Sequence, residues 1–353
     1  MLTSSGIGTY LQNLLPRVIH SRPQHRFHLL GDPLVLDQMA WSHNDYTSVS
    51  RCTAPIYSIA EQVQLARVTP RETDLFWAPH YNIPLRAPGR LMVTVHDLSH
   101  VATPEFVRGA HRRLYARFMF AALRRRAGAI IADSHFTAAE FTRLVGTIEP
   151  APCPIHLGIS DSWFRVRPTC RPHPAPYLLF VGNVKPHKNL VTLLQAFDTI
   201  THTIPHDLVI VGKREGFITG DRAAITWAER LGERVRFTGA IPIEQLEQFM
   251  VFADALVLPS LYEGFGLPPL EAMACGCPTI VSTAASLPEV CGDAALYIDP
   301  RNPHDIAAKI VQLLDDDELR AELRRKGTTR AASFSWDRCA EQTLVVMDKL
   351  LAS

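Results

Sequence analysis

The chain has 353 residues, which is more than one domain usually holds and therefore predicts two. A hydrophobic fraction of 47% and a charged fraction of 20% are ordinary for a globular protein with buried cores. The net charge of +1 argues against a nucleic-acid-binding protein. Seven dispersed cysteines, no long apolar run and no signal-peptide pattern predict a reduced, cytoplasmic protein without a membrane-spanning helix.

The chain starts with a glycine-containing segment, SSGIGTYLQNLL, in which Gly6 and Gly8 permit close backbone approach just before a helix. Such a loop can hold a phosphate. In a doubly wound sheet a strand precedes this loop, but only residues 1–3 stand before it here. We therefore expect the N-terminal sheet to lack its usual inner strand, or the natural start to lie upstream of Met1.

Short apolar runs alternate with longer amphipathic stretches along the chain, which predicts parallel strands covered by helices. The expected strands are 26–30, 75–78, 91–95, 129–132, 177–181, 208–211, 235–237, 255–258 and 279–281. The resulting fold class is α/β, with two doubly wound Rossmann-like domains that face each other across a cleft.

A proline-rich stretch at 167–176 predicts the inter-domain linker, because proline at that density disfavours both helix and central strand. The two predicted domains are 1–165 and 166–335. The last segment, 336–353, is predicted to form a helix that packs back toward the N-terminal domain.

A histidine follows the predicted strand 91–95, at the edge where α/β sheets place their ligands. A core histidine is the usual alternative, but the strand-end position of His96 favours function, with Asp97 as a supporting residue. Farther on, Ser134 is best explained as a helix N-cap. Residues 111–126 form a basic amphipathic helix that suits either an anionic membrane or, as we favour here, ordinary packing on the sheet.

The segment LLFVGNVKPHKNL runs from a strand into Gly182, a loop and a helix that begins near Asn189. Lys188 stands at the helix entrance, where a cation opposes the helix dipole and so favours a functional explanation. A lysine there can neutralise a leaving pyrophosphate.

The strongest motif is EGFGLPPLE, which directly follows the strand ADALVLPS. The loop contains Gly264 and Gly266, two prolines favour a helix start, and the helix N-terminus offers N–H groups to a phosphate or a sugar hydroxyl. Glu263 and Glu271 bracket the loop, and carboxylates accept paired hydrogen bonds from vicinal hydroxyls. A solvated loop glutamate and a dipole-complementing glutamate are the alternative explanation.

The acidic run near the end of the second domain contains Asp315 and Asp317. A helix cap explains this pattern better than a metal site, so we expect no catalytic metal and no cofactor.

These motifs resemble the large family of retaining GT-B glycosyltransferases of the family 4 or group 1 type, which includes many bacterial mannosyltransferases. The likeness rests on EGFGLPPLE and the following AMACGCPTIVS, and it extends over nearly the whole chain. It implies that 1–165 is the acceptor-side domain and that 166–335 is the nucleotide-sugar-binding domain. It implies that Glu263 contacts the transferred sugar, Glu271 binds the ribose, Lys188 binds the phosphates and His96 lies near the reacting carbon. The donor-binding set that it implies consists of Gly6, Gly8, Gly182, Asn183, Lys188, Thr238, Gly239, Gly264, Phe265, Gly266, Leu267 and Glu271.

One position departs from the family pattern, since Asn183 occupies the place of an arginine that assists the lysine, for which Lys185 is a substitute. The resemblance implies transfer of a hexose, with mannose from GDP-mannose favoured, to a glycan or lipid-linked acceptor with retention. The setting would be cell-surface polysaccharide or lipopolysaccharide biosynthesis, at the inner face of the membrane if 111–126 binds lipid.

Three alternatives stay open at this point. One is a UDP-sugar-dependent glucosyl- or galactosyltransferase of the same fold. Another is a non-catalytic sugar-nucleotide-binding protein, which the short N-terminus and Asn183 suggest. A dinucleotide-dependent oxidoreductase is disfavoured, because Leu11 stands where the third glycine of its fingerprint belongs.

Overall fold

The computed structural model describes residues 5–106, 109–213 and 221–353. Contacts between residues divide the chain into two compact units. The first unit comprises 1–101, 113–158 and 335–353, and the second comprises 102–112 and 159–334. Within the described residues, no helix is both long enough and apolar enough to cross a bilayer.

Twelve strands and fifteen α-helices are assigned in the described part of the chain. The strands are β1 (Phe27–Gly31), β2 (Thr47–Arg51), β3 (Leu75–Ala78), β4 (Arg90–Val95), β5 (Ala127–Ala132), β6 (Cys153–Pro154), β7 (Tyr177–Val181), β8 (Asp207–Val211), β9 (Val235–Gly239), β10 (Ala255–Leu258), β11 (Thr279–Ser282) and β12 (Leu296–Ile298). The helices are α1 (Ser5–Ser21), α2 (Pro33–Leu36), α3 (Ile59–Val68), α4 (Ser99–Ala102), α5 (Ala110–Arg126), α6 (His135–Val145), α7 (Asp161–Arg165), α8 (Leu190–Ile200), α9 (Arg222–Leu231), α10 (Ile243–Phe252), α11 (Leu267–Ala274), α12 (Leu287–Cys291), α13 (Pro303–Asp315), α14 (Asp317–Ala332) and α15 (Trp336–Ala352).

The second unit contains one six-stranded parallel sheet in the order β12-β11-β10-β7-β8-β9. If β7 is counted as strand 1 of this sheet, the order reads 6-5-4-1-2-3, which is the strand order of a doubly wound dinucleotide-binding fold. All five residues of β7 and all four of β10 are buried, as expected for central strands covered by helices on both faces. The order reverses between β7 and β10, so the loops after these two strands lie at the switch point of the sheet.

The first unit has two separate parallel sheets, β1-β2 and β3-β4-β5-β6. The larger sheet packs on a core that includes Val93, Met119, Phe120 and Phe141. Among the described residues, which begin at Ser5, no strand joins the two sheets. The expectation about the start of the chain concerns residues 1–4, which lie outside the described residues, and it stays a prediction.

The C-terminal helix α15 belongs to the first unit, where it contacts α1, β4 and β5. The proline-rich stretch 167–176 has neither helix nor strand, but it belongs to the second unit. Gln248 holds it there, since its amide donates to the carbonyl of Arg167 and accepts from the backbone N–H of Thr169. The chain passes between the units earlier, after Gly158.

Candidate active site

The switch point of the second sheet brings two charged residues together. Lys188 lies in a 3-10 turn, Pro186–Lys188, in the loop that follows β7, and Glu263 lies in the loop that follows β10. The ammonium Nζ of Lys188 is 2.6 Å from Oε1 of Glu263. The sequence predicted both residues at the donor site, but it did not predict that they form an ion pair.

This ion pair is largely shielded from solvent, with side-chain exposures of 16% for Lys188 and 11% for Glu263. The hydroxyl of Ser260 also donates to Oε1 of Glu263, at 2.7 Å. Partly buried charges are costly unless they are paired and hydrogen-bonded, and both conditions are met here. The arrangement therefore holds a cation and a carboxylate at the edge where doubly wound sheets bind ligands.

The Glu263 loop is held by a serine that precedes α12. The hydroxyl of Ser286 donates to the carbonyls of Glu263, at 3.0 Å, and Phe265, at 2.8 Å. Gly266 has φ of 110° at the N-cap of α11, a conformation that favours glycine, and an added Cβ would lie 2.9 Å from Leu287. The sequence did not indicate Ser260 and Ser286 as residues of the site, because a single serine in a loop is not part of a recognisable motif.

Helix α11 begins at Leu267, with prolines in its first positions, as the sequence predicted. Glu271 is the fifth residue of this helix and therefore lies in its second turn. Burial raises the pKa of Glu271 to about 7. No hydrogen bond joins its carboxylate to any residue that the structure describes, so its oxygens can accept hydrogen bonds from the hydroxyls of a ligand.

The loop after β8 contacts the loop after β7 on one side and the end of β9 on the other. A Cβ on Gly212 would lie 2.1 Å from the carbonyl oxygen of Gly182, so the approach requires glycine. The N–H of Gly212 donates to the carbonyl of Gly239, at 3.0 Å, and Thr238 caps the same carbonyl with its hydroxyl. Gly182, Thr238 and Gly239 belong to the donor-binding set that the family resemblance implies, and that role stays a prediction.

Asn183, which stands where the family pattern has an arginine, ties two loops together. Its side-chain oxygen accepts a hydrogen bond from the backbone N–H of Lys213, at 3.2 Å. Nearby, Asn189 adopts a left-handed conformation at the N-cap of α8 and its amide donates to the carbonyls of Pro259 and Pro300. The helix start near Asn189 is thus confirmed, and Asn189 also anchors the Lys188 loop to the end of β10.

In the first unit, His96 follows β4 and pairs with a carboxylate from the next strand of the sheet. Its Nδ1 is 2.6 Å from Oδ2 of Asp133, and its Nε2 is 3.0 Å from the carbonyl oxygen of Pro79. Burial acts to lower the pKa of His96, but the charge and the hydrogen bond of Asp133 outweigh it and leave the pKa raised. The structure therefore places a buried, well-oriented imidazole at the carboxyl edge of this sheet.

The carboxylate that orients His96 differs from the one that the sequence suggested. Asp97 accepts hydrogen bonds from the backbone N–H and the hydroxyl of Ser99, and so caps α4. Asp133 follows β5 directly, so the strand-end rule that selected His96 could also have found it. Ser134 is the N-cap of α6, as predicted, because its hydroxyl oxygen accepts from the N–H of Thr137.

Tyr10, from the GIGTY segment, packs against this histidine, with its ring centroid 4.8 Å from that of His96. The hydroxyl of Tyr10 and the indole N–H of Trp77 both lie 3.0 Å from the hydroxyl oxygen of Thr94. The glycines of this segment were predicted from the sequence to be site residues, but Tyr10 was not. The structure therefore joins the first segment of the chain to the His96 site through an aromatic side chain.

Gly6 and Gly8 do not lie in a loop ahead of a helix, as the sequence analysis expected. Both belong to the first turn of α1, which begins at Ser5. This position is still compatible with phosphate binding, because the N–H groups of a first helical turn have no partner within the helix and point outward.

The acidic run near residue 316 caps a helix. Asp315 ends α13, Asp317 begins α14, and Asp316 between them accepts a hydrogen bond from the N–H of Leu319, at 2.8 Å. Asp317 pairs with Arg320 one turn later. The capping explanation therefore accounts for the D-x-D pattern.

Comparison with known proteins decides the family. The family described as "Glycosyl transferases group 1" matches residues 163–330, which lie in the second unit. The O-antigen chain mannosyltransferase B of Escherichia coli is 30% identical, over 96% of this chain and 95% of that protein. The chain belongs to the group 1 glycosyltransferases. A second relative, the serotype-specific mannosyltransferase WbdA of Escherichia coli, is 31% identical over 51% of this chain and 22% of its own length.

Solved structures agree on the fold of this group 1 glycosyltransferase. Anabaena Alr3699/HepE, solved in complex with UDP-glucose, superposes with a TM-score of 0.77 at 18% identity, over 99% of this chain and 97% of that one. WaaG, a glycosyltransferase involved in lipopolysaccharide biosynthesis, superposes with a TM-score of 0.72 at 16% identity, over 96% and 95%. These likenesses confirm the predicted GT-B architecture.

Proposed function

We propose that this group 1 glycosyltransferase transfers mannose from GDP-mannose to a glycan or a lipid-linked sugar, in the assembly of a cell-surface polysaccharide. The observation that carries the proposal is the 30% identity to an O-antigen chain mannosyltransferase across nearly the full length of both proteins. The relative that matches half of the chain is also a mannosyltransferase by name.

The site in the second unit supplies charge where a nucleotide diphosphate leaves the sugar. In the proposed reaction Lys188 and the N-terminus of α11 stabilise the negative charge that develops on the departing phosphate. Lys188 is held 2.6 Å from Glu263, so the two side chains can exchange partners when phosphate and sugar bind. Glu263 then accepts hydrogen bonds from the sugar, and Glu271 accepts them from the ribose.

In the proposed mechanism the acceptor attacks the face of the sugar that the diphosphate leaves, so the anomeric configuration is retained. His96 and Glu263 orient the sugar, and no side chain needs to act as a nucleophile. The positive charge at the leaving group comes from Lys188, which takes the part that a metal ion plays in other enzymes. We therefore propose that the reaction needs no metal and no cofactor.

A second candidate is transfer from a UDP-sugar. The observation that favours it is the superposition on Alr3699/HepE, a structure that contains UDP-glucose. At 18% identity that likeness supports the fold more than the choice of base. A non-catalytic binding protein is the third candidate, and it predicts donor binding without donor turnover.

A thermal-shift screen separates the donors. We expect GDP-mannose and GDP to raise Tm more than the UDP and ADP counterparts, because a ligand that binds the native state stabilises it by mass action. At a ligand concentration of about 100 Kd the gain is about 2.7 kcal/mol. A larger shift with UDP-glucose than with GDP-mannose would contradict the proposed donor and support the second candidate.

The proposal also includes contact with a membrane through helix α5, where lipid-linked acceptors are found. Leu114 and Phe118 are four residues apart on this helix and are 70% and 55% exposed. Arg113 and Arg117 are exposed beside them, also four residues apart. A face that combines exposed apolar and cationic side chains fits the interface of an anionic bilayer. The other face of α5 buries Met119, Phe120 and Leu123 in the core of the first unit, so the helix also packs on the sheet as favoured from the sequence.

Binding to vesicles tests this part. The double substitution Arg113→Glu and Arg117→Glu is expected to weaken binding to phosphatidylglycerol vesicles at least about thirty-fold, from about 1 kcal/mol per cationic side chain. Phosphatidylcholine vesicles and the variant Val345→Ser, which removes an exposed apolar side chain from α15, serve as controls. Equal binding of the charge-reversed and unaltered proteins would rule out the α5 contact.

A further inference from the structure

An aromatic cluster lies at the carboxyl edge of the larger sheet in the first unit. The loop after β3 contributes His80 and Tyr81, and the segment before α3 contributes Tyr57. The carbonyl oxygen of Pro79, the residue before His80, is 3.0 Å from Nε2 of His96. The cluster therefore adjoins the histidine that the proposed mechanism places at the sugar.

Three rings form a stack that leads from the core of this unit to its surface. Tyr81 stacks on Phe120, with ring centroids 4.7 Å apart and both side chains buried. Tyr57 stacks on Tyr81, at 6.2 Å, and is 45% exposed. The ring of Tyr115 packs edge-on against Tyr57, at 5.9 Å. Packed neighbours thus hold the ring of Tyr57 in place, while part of it faces solvent.

The backbone of Tyr57 is strained. Its φ of 70° is a conformation that bulky residues rarely adopt. Its N–H donates to Oε2 of Glu61, at 2.7 Å, and this bond holds the conformation. Residues held in sparsely populated conformations concentrate at ligand-binding and active sites. The strain therefore favours a functional role for Tyr57 over that of an ordinary loop residue.

Buried polar side chains lie beside the rings. Oε2 of Glu61 also accepts a hydrogen bond from Nδ2 of Asn82, at 2.7 Å, and the hydroxyl of Tyr115 donates to Oδ1 of Asn82. Capping of α3 explains the bond of Glu61 to the N–H of Tyr57 but not the bond to Asn82. Among the described residues no hydrogen bond reaches Oε1 of Glu61, and this glutamate lines an open groove of the first unit. The oxygen can therefore accept a hydrogen bond from a ligand hydroxyl.

An aromatic ring beside a carboxylate and an amide suits a saccharide. The face of a pyranose ring presents C–H groups, which pack on the electron-rich face of an aromatic ring. The rim presents hydroxyls, which donate to carboxylate oxygens and exchange hydrogen bonds with amides. The cluster belongs to the first unit, whereas Lys188, Glu263 and Glu271, which the proposed function assigns to the donor, belong to the second. The cluster therefore suits the sugar of the acceptor.

We propose that Tyr57 and Glu61 form a subsite for a sugar ring of the acceptor. The ring of Tyr57 stacks on the pyranose, Oε1 of Glu61 accepts a hydrogen bond from a hydroxyl, and Asn82 and Tyr115 position these two side chains. The subsite rests on the proposed function, because that function makes a saccharide the acceptor. Helix α5 carries both Tyr115 and the exposed Leu114, so the subsite and the proposed membrane contact share one helix, as suits a lipid-linked sugar.

Binding of methyl α-mannoside to the full chain without any donor tests the subsite. Saturation-transfer NMR is expected to show contact with the ring protons of the sugar. Tyr57→Ala should weaken binding about ten-fold, because it removes the stacked ring, and Tyr57→Phe should bind within about two-fold of the unaltered protein. Ile59→Ala is the control, since it removes an exposed apolar side chain two positions away and should leave mannoside binding unchanged.

Kinetics separate a binding role from a structural one. With GDP-mannose as the donor, Tyr57→Ala and Glu61→Gln should each raise KM for octyl α-mannoside about ten-fold. In Tyr57→Ala, kcat and the thermal shift produced by GDP should stay as in the unaltered protein, because the change removes only acceptor binding. A merely structural role would weaken the binding of GDP and of the mannoside together.

Unaltered mannoside binding in Tyr57→Ala, or a joint loss of GDP and mannoside binding, would overturn the subsite. Loss of binding to phosphatidylglycerol vesicles in Tyr57→Ala, with mannoside binding intact, would assign the exposed ring to the membrane instead. Mannoside binding that depends on Tyr57, in a protein that does not turn over GDP-mannose, would support the saccharide site and contradict the proposed function. The two proposals can therefore fail separately.

Discussion

Replacing Lys188 with alanine is expected to lower kcat by about 10²–10³-fold, the usual effect of removing one group that stabilises charge in a transition state. The same change is expected to lower the free energy of unfolding by about 1–3 kcal/mol, since it leaves the shielded carboxylate of Glu263 without its cation. The ion pair of Lys188 with Glu263 is the reason for the expected loss of stability.

A double-mutant cycle with Glu263→Gln separates the two effects. Glutamine keeps the hydrogen bond from Ser260 but has no charge, so the loss of stability in the double variant should be smaller than the sum of the single losses. Turnover should stay low in all three variants. Lys326→Ala is the control, because Lys326 pairs with Asp293 and Glu322 at the surface. Surface pairs contribute about 1 kcal/mol or less, and this one should leave kcat unchanged. Unaltered kcat in Lys188→Ala would remove Lys188 from the mechanism.

Replacing His96 with alanine is expected to lower kcat/KM about 100-fold, because the change removes a buried, oriented group that the proposal places at the sugar. Asp133→Asn is expected to cause a smaller loss. It keeps a hydrogen-bonding side chain beside Nδ1 but removes the charge that holds the pKa of His96 above its usual value. The pH dependence of stability reports on that pKa directly.

The pH dependence of stability follows from the raised pKa of His96. A histidine whose pKa is raised in the folded protein contributes stability that is fully present below about pH 6.5 and is lost as pH rises through the folded pKa. In the variant Asp133→Asn, the stability should no longer fall as pH rises above 6.5. His173→Asn is the control, since His173 pairs with Asp207 at 2.7 Å near the amino ends of β7 and β8. The control should alter stability but not kcat/KM. The same kcat/KM in His96→Ala and the unaltered protein would exclude His96 from the site.

The sequence predicts the sheets well where strands are buried on both faces. Runs such as Tyr177–Val181 and Ala255–Leu258 are apolar throughout, and every strand expected from such runs is present. The strands that were missed lack this signal. β2, Thr47–Arg51, is polar at every position except Val49, and β6 and β12 have only two and three residues.

The site could be predicted only in part, because a motif names residues and not their partners. EGFGLPPLE and GNVKPHKN indicated Glu263 and Lys188, but their ion pair depends on β7 and β10 being neighbours. Asp133 is 37 positions from His96, and Tyr10 is farther still from Thr94, so these contacts depend on the fold.

The most direct test of the proposed function is the product of a single transfer reaction. The full chain is incubated with GDP-mannose and octyl α-mannoside as an acceptor probe, with EDTA present, and the anomeric protons are followed by NMR. We expect consumption of GDP-mannose, an α-linked mannoside, no reaction with UDP-glucose, and at least about a 100-fold slower reaction for Lys188→Ala. A β-linked product, a requirement for metal, or turnover of UDP-glucose alone would contradict it.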